Sequence, residues 1–173
     1  MKTITVLIPA YNEEAVLPQL FARLKDLQKT IKKYRLELLF INDGSSDDTL
    51  TMIQREAKKN SSIAYVNLSR NFGKEAGMLA GFDYAKGDAV VIIDADLQDP
   101  PELIPQMIEL WEQGYDDVYA RRRSRQGETW LNPGGCVPRH GSRLQSLPAV
   151  KPAARCRYAA GCSGPHPKPA CIP

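Results

Sequence analysis

Two aspartates separated by a single residue are the strongest candidates for chemistry in this 173-residue chain. The apolar run at residues 89–93 leads into Asp94 and Asp96, and Gln98 follows at the same spacing. Residues two apart in an extended segment point the same way, so these side chains can present oxygen atoms to one point. Mg²⁺ and Mn²⁺ prefer oxygen ligands and leave room for substrate phosphates. The spacing therefore predicts a divalent cation on a diphosphate, with capping of the next helix as the structural alternative.

Capping alone explains a third aspartate nearby. Asp99 precedes two prolines and Glu102, an arrangement close to a capping box with proline at the first helical position. This explanation accounts for Asp99 and leaves Asp94 and Asp96 available for a metal.

Polar residues also follow other apolar runs of the chain. After the first run, Pro9 ends the strand, Tyr11 can stack on a base, and Glu13 can accept hydrogen bonds from a base or ribose. Asp43 directly follows the second run and can accept from the same groups. The structural alternative is a loop that leads into helices whose N-termini favour acids. The arginine-rich stretch 121–125 suits phosphate oxygens, although a charge run is usually a solvated face.

The elements that must position these residues alternate between short β-branched runs and longer stretches of helical spacing. This alternation predicts an α/β fold with a mainly parallel sheet flanked by helices. Ligands in such sheets lie outside the carboxyl ends of the strands, where the candidate residues fall. Arg70 and Lys74, after the third strand, are weaker phosphate candidates. The predicted strands are residues 4–8, 36–41, 63–68, 89–93 and 117–120, and the predicted helices are residues 16–31, 48–59, 74–85 and 101–113.

The composition divides the chain near residue 132. All 20 acidic residues lie at or before Glu128, whereas all four cysteines and both histidines lie after residue 132. The formal net charge of +3 gives no indication of a nucleic-acid partner. A cysteine-free first part suits the cytosol, and the sequence shows neither a secretory signal nor an apolar run long enough to span a membrane. We therefore predict a cytoplasmic protein with one domain over residues 1–132.

The segment 133–173 has a different character. It is rich in Pro, Gly and Arg, and its cysteines lack the paired spacing of a zinc site. A disulfide is no better supported in a cytosolic setting. We expect an irregular, disordered tail. One hypothesis for its composition is out-of-frame translation of a G/C-rich gene.

Four motifs together resemble a known family. The stretches LIPAYNEE, INDGSSDDT, SRNFGKEAG and IIDADLQDPPELI look like inverting glycosyltransferases of family 2, which have the GT-A fold. More narrowly, they resemble the polyprenyl-phosphate branch, which includes dolichyl-phosphate mannose synthase and bacterial undecaprenyl-phosphate (bactoprenol) glucosyltransferases. The resemblance covers about residues 1–132. It stops there, without the acceptor-side motif and the membrane helices that are common in the family.

The resemblance implies roles for individual residues. Pro9, Tyr11, Glu13 and Asp43 would line the nucleotide pocket. Asp94, Asp96 and Gln98 would hold Mg²⁺ or Mn²⁺ on the diphosphate of a UDP- or GDP-sugar. Arg122 would face the acceptor phosphate, and Asp96 and Arg122 would be the catalytic residues.

The expected function is transfer of a sugar, with UDP-glucose as the favoured donor, to a polyprenyl phosphate with inversion. The alternative is a truncated, non-catalytic fragment that only binds nucleotide-sugars. A dinucleotide-dependent oxidoreductase is weakly supported, because no G-x-G-x-x-G follows the first strand. Full-length relatives of this kind act at the cytosolic face of a membrane in building the bacterial cell envelope.

Overall fold

The computed structural model describes residues 1–120 together with the backbone of residues 149–152 and 169–172. Strands and helices alternate over this part of the chain, as the hydrophobic pattern predicts. The elements are β1 (Thr3–Ala10), α1 (Leu17–Thr30), β2 (Arg35–Asn42), α2 (Thr49–Lys59), β3 (Ile63–Asn67), α3 (Lys74–Tyr84), β4 (Ala89–Ile92), α4 (Ile104–Glu112), β5 (Asp117–Ala120), β6 (Ala149–Pro152) and β7 (Pro169–Ile172).

All of the described strands belong to one sheet, in the order β3-β2-β1-β4-β6-β5-β7. β1 lies between β2 and β4 and is parallel to both, and β3 is parallel to β2. β6 is antiparallel to β4 and β5, whereas β5 and β7 are parallel. The predicted α/β architecture with a mainly parallel sheet is confirmed. Because β1 to β4 run in one direction, their carboxyl ends meet at one edge.

Helices cover both faces of the parallel strands, which explains why these strands read as continuous apolar runs. On one face, Ile4, Val6 and Ile8 of β1 belong to the larger core, which includes buried residues of α1, α2 and α4. On the other face, Leu7 packs in a smaller core with Phe82 of α3. The alternation of side chains along β1 thus serves two cores at once.

A glycine lets α3 lie close to the sheet. A Cβ atom added at Gly81 would lie 2.2 Å from Cδ1 of Leu7, whereas one added at Gly77 would lie 3.7 Å from Cγ2 of Ile41. The helix therefore rests on β1 at the position where no side chain is present. This contact sets the depth of α3, whose first residue is Lys74.

Two features differ from the sequence-based expectations. The last predicted helix starts as a short 3₁₀ turn, Pro101–Leu103, whose N-cap position is Pro100 rather than Asp99 and which has no side-chain cap. Proline at residues 100 and 101 restricts the backbone here and removes donors that a cap would satisfy. In addition, β6 and β7 fall within the segment 133–173, for which we expected no strand, since residues 149–152 and 169–172 lack the length and the alternation that identify strands.

Candidate functional site

An open cavity of about 240 Å³ lies at the edge of the sheet where β1, β2 and β4 end. Asn71, Gly73 and Lys74, around the start of α3, contribute to its wall. Lys74 was predicted from the sequence, and six more of the predicted residues line the cavity: Pro9, Tyr11, Glu13, Asp43, Asp94 and Asp96. The loops that follow three different strands therefore bring together residues that are up to 87 positions apart, from Pro9 to Asp96.

Asp94 forms an ion pair with Lys74 inside this cavity. The Lys74 Nζ atom lies 2.6 Å from Oδ1 and 2.7 Å from Oδ2 of Asp94, so the ammonium contacts both carboxylate oxygens. The Asp94 side chain is 14 % exposed and that of Lys74 is 42 % exposed. The most buried carboxylate of the Asp94/Asp96 pair is thus already neutralised by a cation from α3.

Asp96 lies in a tight turn directly after Asp94. Its Oδ1 accepts a hydrogen bond from the backbone N–H of Gln98 at 3.0 Å. Leu97, between them, has a φ of 60°, a left-handed conformation that a leucine rarely adopts. The turn keeps the Asp96 side chain exposed at the cavity, whereas Gln98 is not among the residues that line the cavity.

Negative charge is concentrated on this side of the cavity. The pKa of Glu13 is raised above its usual 4.5, first because the carboxyl group is partly buried, and then because Asp96, Asp47 and Asp94 repel its charge. A carboxylate in such surroundings is stabilised by a bound cation, since the cation offsets the repulsion. The electrostatics therefore suit a positively charged ligand between Glu13 and the two aspartates.

Asp43 has a structural partner that its sequence position did not reveal. Its Oδ1 accepts the backbone N–H of Phe72 at 2.8 Å, and its Oδ2 accepts that of Gly73 at 2.9 Å. The side chain is buried, with 4 % of its surface exposed. Asp43, at the end of β2, therefore holds the chain that leads into α3 and positions Lys74.

The loops after β1 and β2 are joined by hydrogen bonds through residues that sequence reasoning missed. The backbone N–H of Asn12 donates to Oγ of Ser45 at 3.0 Å, while Oδ1 of Asn12 accepts from the backbone N–H of Ser46 at 2.9 Å. The backbone N–H of Glu13 donates to Oγ1 of Thr49 at 2.8 Å. These bonds fix the backbone of Glu13, so the loop that carries its side chain has a defined position at the cavity. The signal in the sequence was small: one asparagine, Asn12, in the first loop and the pair Ser45–Ser46 in the second.

Gly44 allows the loop after β2 to lie against the loop before α3. Its φ is 66°, and a Cβ atom there would lie 2.4 Å from the backbone carbonyl carbon of Arg70. A side chain would therefore clash with backbone and would also strain the turn. This close approach brings Asp43 within reach of the Phe72 and Gly73 amides.

The donor set suits a hard cation that shares its coordination with a ligand. In the described part of the chain, no group of three His, Cys, Asp or Glu residues forms a complete metal site. Asp94 and Asp96 provide two carboxylates in an open cavity, and Mg²⁺ or Mn²⁺ characteristically uses few carboxylates together with substrate phosphates and water. The residues present therefore fit a cation bound with a diphosphate. Gln98 as a third ligand stays a prediction, and Arg122 lies outside the described residues.

No helix within residues 1–120 is long and apolar enough to cross a bilayer.

Comparisons with known proteins agree on one family. The model of "Glycosyl transferase family 2" matches residues 5–154. An uncharacterized glycosyltransferase of Synechocystis sp. is 54 % identical over 128 residues, which are 74 % of this chain and 40 % of the relative. The bactoprenol glucosyl transferase of Shigella phage SfV is 43 % identical over 122 residues, which are 70 % of this chain and 39 % of that protein. The chain thus spans about two fifths of the length of these relatives.

A solved structure shares the fold. Glucosyl-3-phosphoglycerate synthase from Mycobacterium tuberculosis, in complex with Mn²⁺, UDP and phosphoglyceric acid, superposes with a TM-score of 0.55 at 26 % identity. The superposition covers 70 % of this chain and 44 % of that one.

Proposed function

The chain belongs to glycosyl transferase family 2, and from this premise we propose that it transfers a sugar from a nucleotide-sugar to a polyprenyl phosphate with inversion. The observation that carries the proposal is the cavity that gathers Glu13, Asp94 and Asp96 with Lys74 at the carboxyl ends of the strands. The phage relative, a bactoprenol glucosyl transferase, supports a polyprenyl phosphate acceptor and a glucosyl donor. We propose UDP-glucose as that donor.

The nucleoside part of the donor would bind on the side of the cavity formed by the loop after β1. Tyr11 is 44 % exposed there, which leaves its ring available to stack on a base. Glu13 can accept hydrogen bonds from base or ribose donors. Each oxygen of Asp43 holds one backbone N–H and retains a second lone pair, so Asp43 can accept from the nucleotide while it supports α3.

Mg²⁺ or Mn²⁺ would be held by Asp94 and Asp96, with Gln98 as the proposed third ligand. When bound, such an ion offsets the charge that develops on the departing nucleoside diphosphate. The presence of Mn²⁺ and UDP in the related synthase structure supports this part of the proposal. Lys74 offers the diphosphate a second positive charge from the protein itself.

A phosphate acceptor explains how transfer can proceed without a dedicated base. A phosphate monoester is largely ionised at neutral pH, because its second pKa is about 6. Its oxygen attacks the anomeric carbon from the side opposite the diphosphate. The new bond joins that carbon to the acceptor oxygen, and the bond to the nucleoside diphosphate breaks. The absence of histidine from residues 1–132 is compatible with this mechanism, and we propose Arg122 as a contact of the acceptor phosphate.

The proposal is tested by following radiolabelled sugar from UDP-glucose, and in parallel from GDP-mannose, to undecaprenyl phosphate in the presence of MnCl₂. We expect label in the lipid phase with UDP-glucose. Asp96→Asn should reduce the rate about a hundredfold, because a charge-stabilising interaction in the transition state is lost. Asp83→Asn, which changes an exposed aspartate of α3 outside the cavity, is the matched control and should leave the rate unchanged. Equal rates for the two variants would contradict the assigned role of Asp96.

The same assay addresses the alternative of a non-catalytic binding fragment. The family match continues to residue 154, past the predicted domain end at residue 132, which does not favour that alternative. Isothermal titration with UDP-glucose, combined with the transfer assay, separates the two. Binding without transfer would support the fragment, and transfer would exclude it.

A further inference from the structure

We propose that Lys74 competes with the divalent cation for Asp94 and then moves to the donor diphosphate, so that metal and nucleotide bind with positive coupling. This inference rests on the proposed function, because it concerns the same cavity. It gives Lys74 a role in coupling the two ligands, in addition to the positive charge that it offers the diphosphate.

The competition follows from the geometry of the ion pair. Lys74 Nζ lies within 2.7 Å of both oxygens of Asp94, so a metal ligated by Asp94 must share or displace the ammonium. Two cations on one carboxylate repel each other, and the repulsion is strong where the carboxylate is mostly shielded from water. The metal therefore binds Asp94 with full strength only after Lys74 has left.

The structure lets the Lys74 side chain move while its backbone stays in place. The two backbone N–H groups that donate to Asp43 belong to Phe72 and Gly73, which directly precede Lys74, so these bonds fix the start of α3. The close contact of Gly81 with Leu7 fixes the depth of the same helix. The lysine side chain is partly exposed and has a flexible four-carbon stem, so it can swing without disturbing α3.

The diphosphate offers the displaced ammonium a new partner. Lys74 lines the same cavity as Asp96, where we place the metal and the diphosphate. A lysine binds phosphate oxygens as a point charge and does not require one fixed orientation. Without nucleotide, metal binding breaks the ion pair between Lys74 and Asp94, and the ammonium gains no new partner. With nucleotide, the ammonium regains a partner, so each ligand raises the affinity for the other.

The test measures Mn²⁺ binding directly, from the electron paramagnetic resonance signal of free Mn²⁺, with and without UDP. Lys74→Met should bind Mn²⁺ about fivefold more tightly than the wild type in the absence of UDP, the upper range for a partly exposed ion pair. UDP should then raise its Mn²⁺ affinity less than it does for the wild type. Lys74→Arg keeps the positive charge and should retain wild-type behaviour. Lys58→Met, at an exposed lysine near the end of α2, is the matched charge control and should also behave as the wild type.

The outcomes separate this inference from the proposed function. If the wild type binds Mn²⁺ and UDP but Lys74→Met has unchanged or weaker Mn²⁺ affinity without UDP, the competition is refuted and the proposed function stands. If none of the proteins binds Mn²⁺ with UDP present, the proposed metal-assisted function fails, and the inference fails with it. Thermal melting of each variant verifies that its fold is retained.

Discussion

Asp43 provides the most direct test of how this site is assembled. The substitution Asp43→Asn keeps the size of the side chain but replaces one of its two acceptor oxygens with an NH₂ group. In the native protein each oxygen accepts one backbone N–H, from Phe72 and Gly73. The variant can accept a hydrogen bond from only one of these two N–H groups. Its NH₂ group faces the other N–H, so two donors oppose each other.

The loss of stability can be worked out from these two bonds. A hydrogen bond to a charged group contributes about 1.5–3 kcal/mol, and a neutral one about 1 kcal/mol. The variant loses one charged bond and weakens the other. Because Phe72 is partly exposed, water can replace the lost partner to some extent, which places the expected loss near the lower end, at about 2 kcal/mol. For a chain of this length that corresponds to a fall of about 4–8 °C in Tm.

The assay is urea and thermal unfolding of the protein without any nucleotide or metal. Asp83→Asn, at an exposed aspartate of α3, is the control and should unfold as the wild type does. If Asp43→Asn also unfolds within about 0.5 kcal/mol of the wild type, Asp43 does not support α3. In that case the position of Asp43 in the cavity would have to be explained by ligand binding alone.

Two further predictions concern residues at and beneath the cavity. Glu13→Gln should stabilise the protein at pH 7 by less than about 1 kcal/mol after solvent screening, since an acid with a raised pKa opposes folding where it is ionised. The gain should vanish as the pH falls towards 4.5, and a gain that is independent of pH in urea titrations would contradict the stated cause. Gly81→Ala should destabilise by about 1–3 kcal/mol, because its Cβ would overlap Leu7. Gly77→Ala is the matched control, because a Cβ there has room beside Ile41. In the same measurement it should be neutral or stabilising by up to about 1 kcal/mol. Equal changes in stability for the two variants would contradict the overlap at Gly81.

The sheet and its functional edge were predictable because both depend on local patterns. Continuous apolar runs identified β1 to β4, and the polar residues that follow them marked the carboxyl ends, where the cavity lies. The GT-A fold expected from the motifs is confirmed by the likeness to solved glycosyltransferase structures. The short strands β6 and β7 carry no such pattern. They pair mainly with strands that lie far away along the chain, and a pattern among neighbouring residues does not reveal such pairing.

The contacts within the site could not be predicted in the same way. Asp43 was interpreted as a nucleotide ligand because its position after β2 was visible, whereas its partners lie 29 and 30 residues further along the chain. The ion pair between Lys74 and Asp94 spans 20 residues and depends on the depth at which α3 packs. Such contacts arise where loops from distant parts of the chain meet, so the spacing of residues in the sequence does not reveal them.

The residues that form the cavity are among the first to be synthesised on the ribosome. Every described residue that lines it falls between Pro9 and Asp96, and the strands β1, β2 and β4, at whose ends it lies, all precede residue 93. Since a chain leaves the ribosome N-terminus first and domains fold largely in that order, this part of the sheet can assemble while later residues are still being translated. The proposed nucleotide-sugar donor, bound in this cavity, would stabilise the assembled sheet by mass action. The proposed donor would then act first as a folding ligand and later as a substrate.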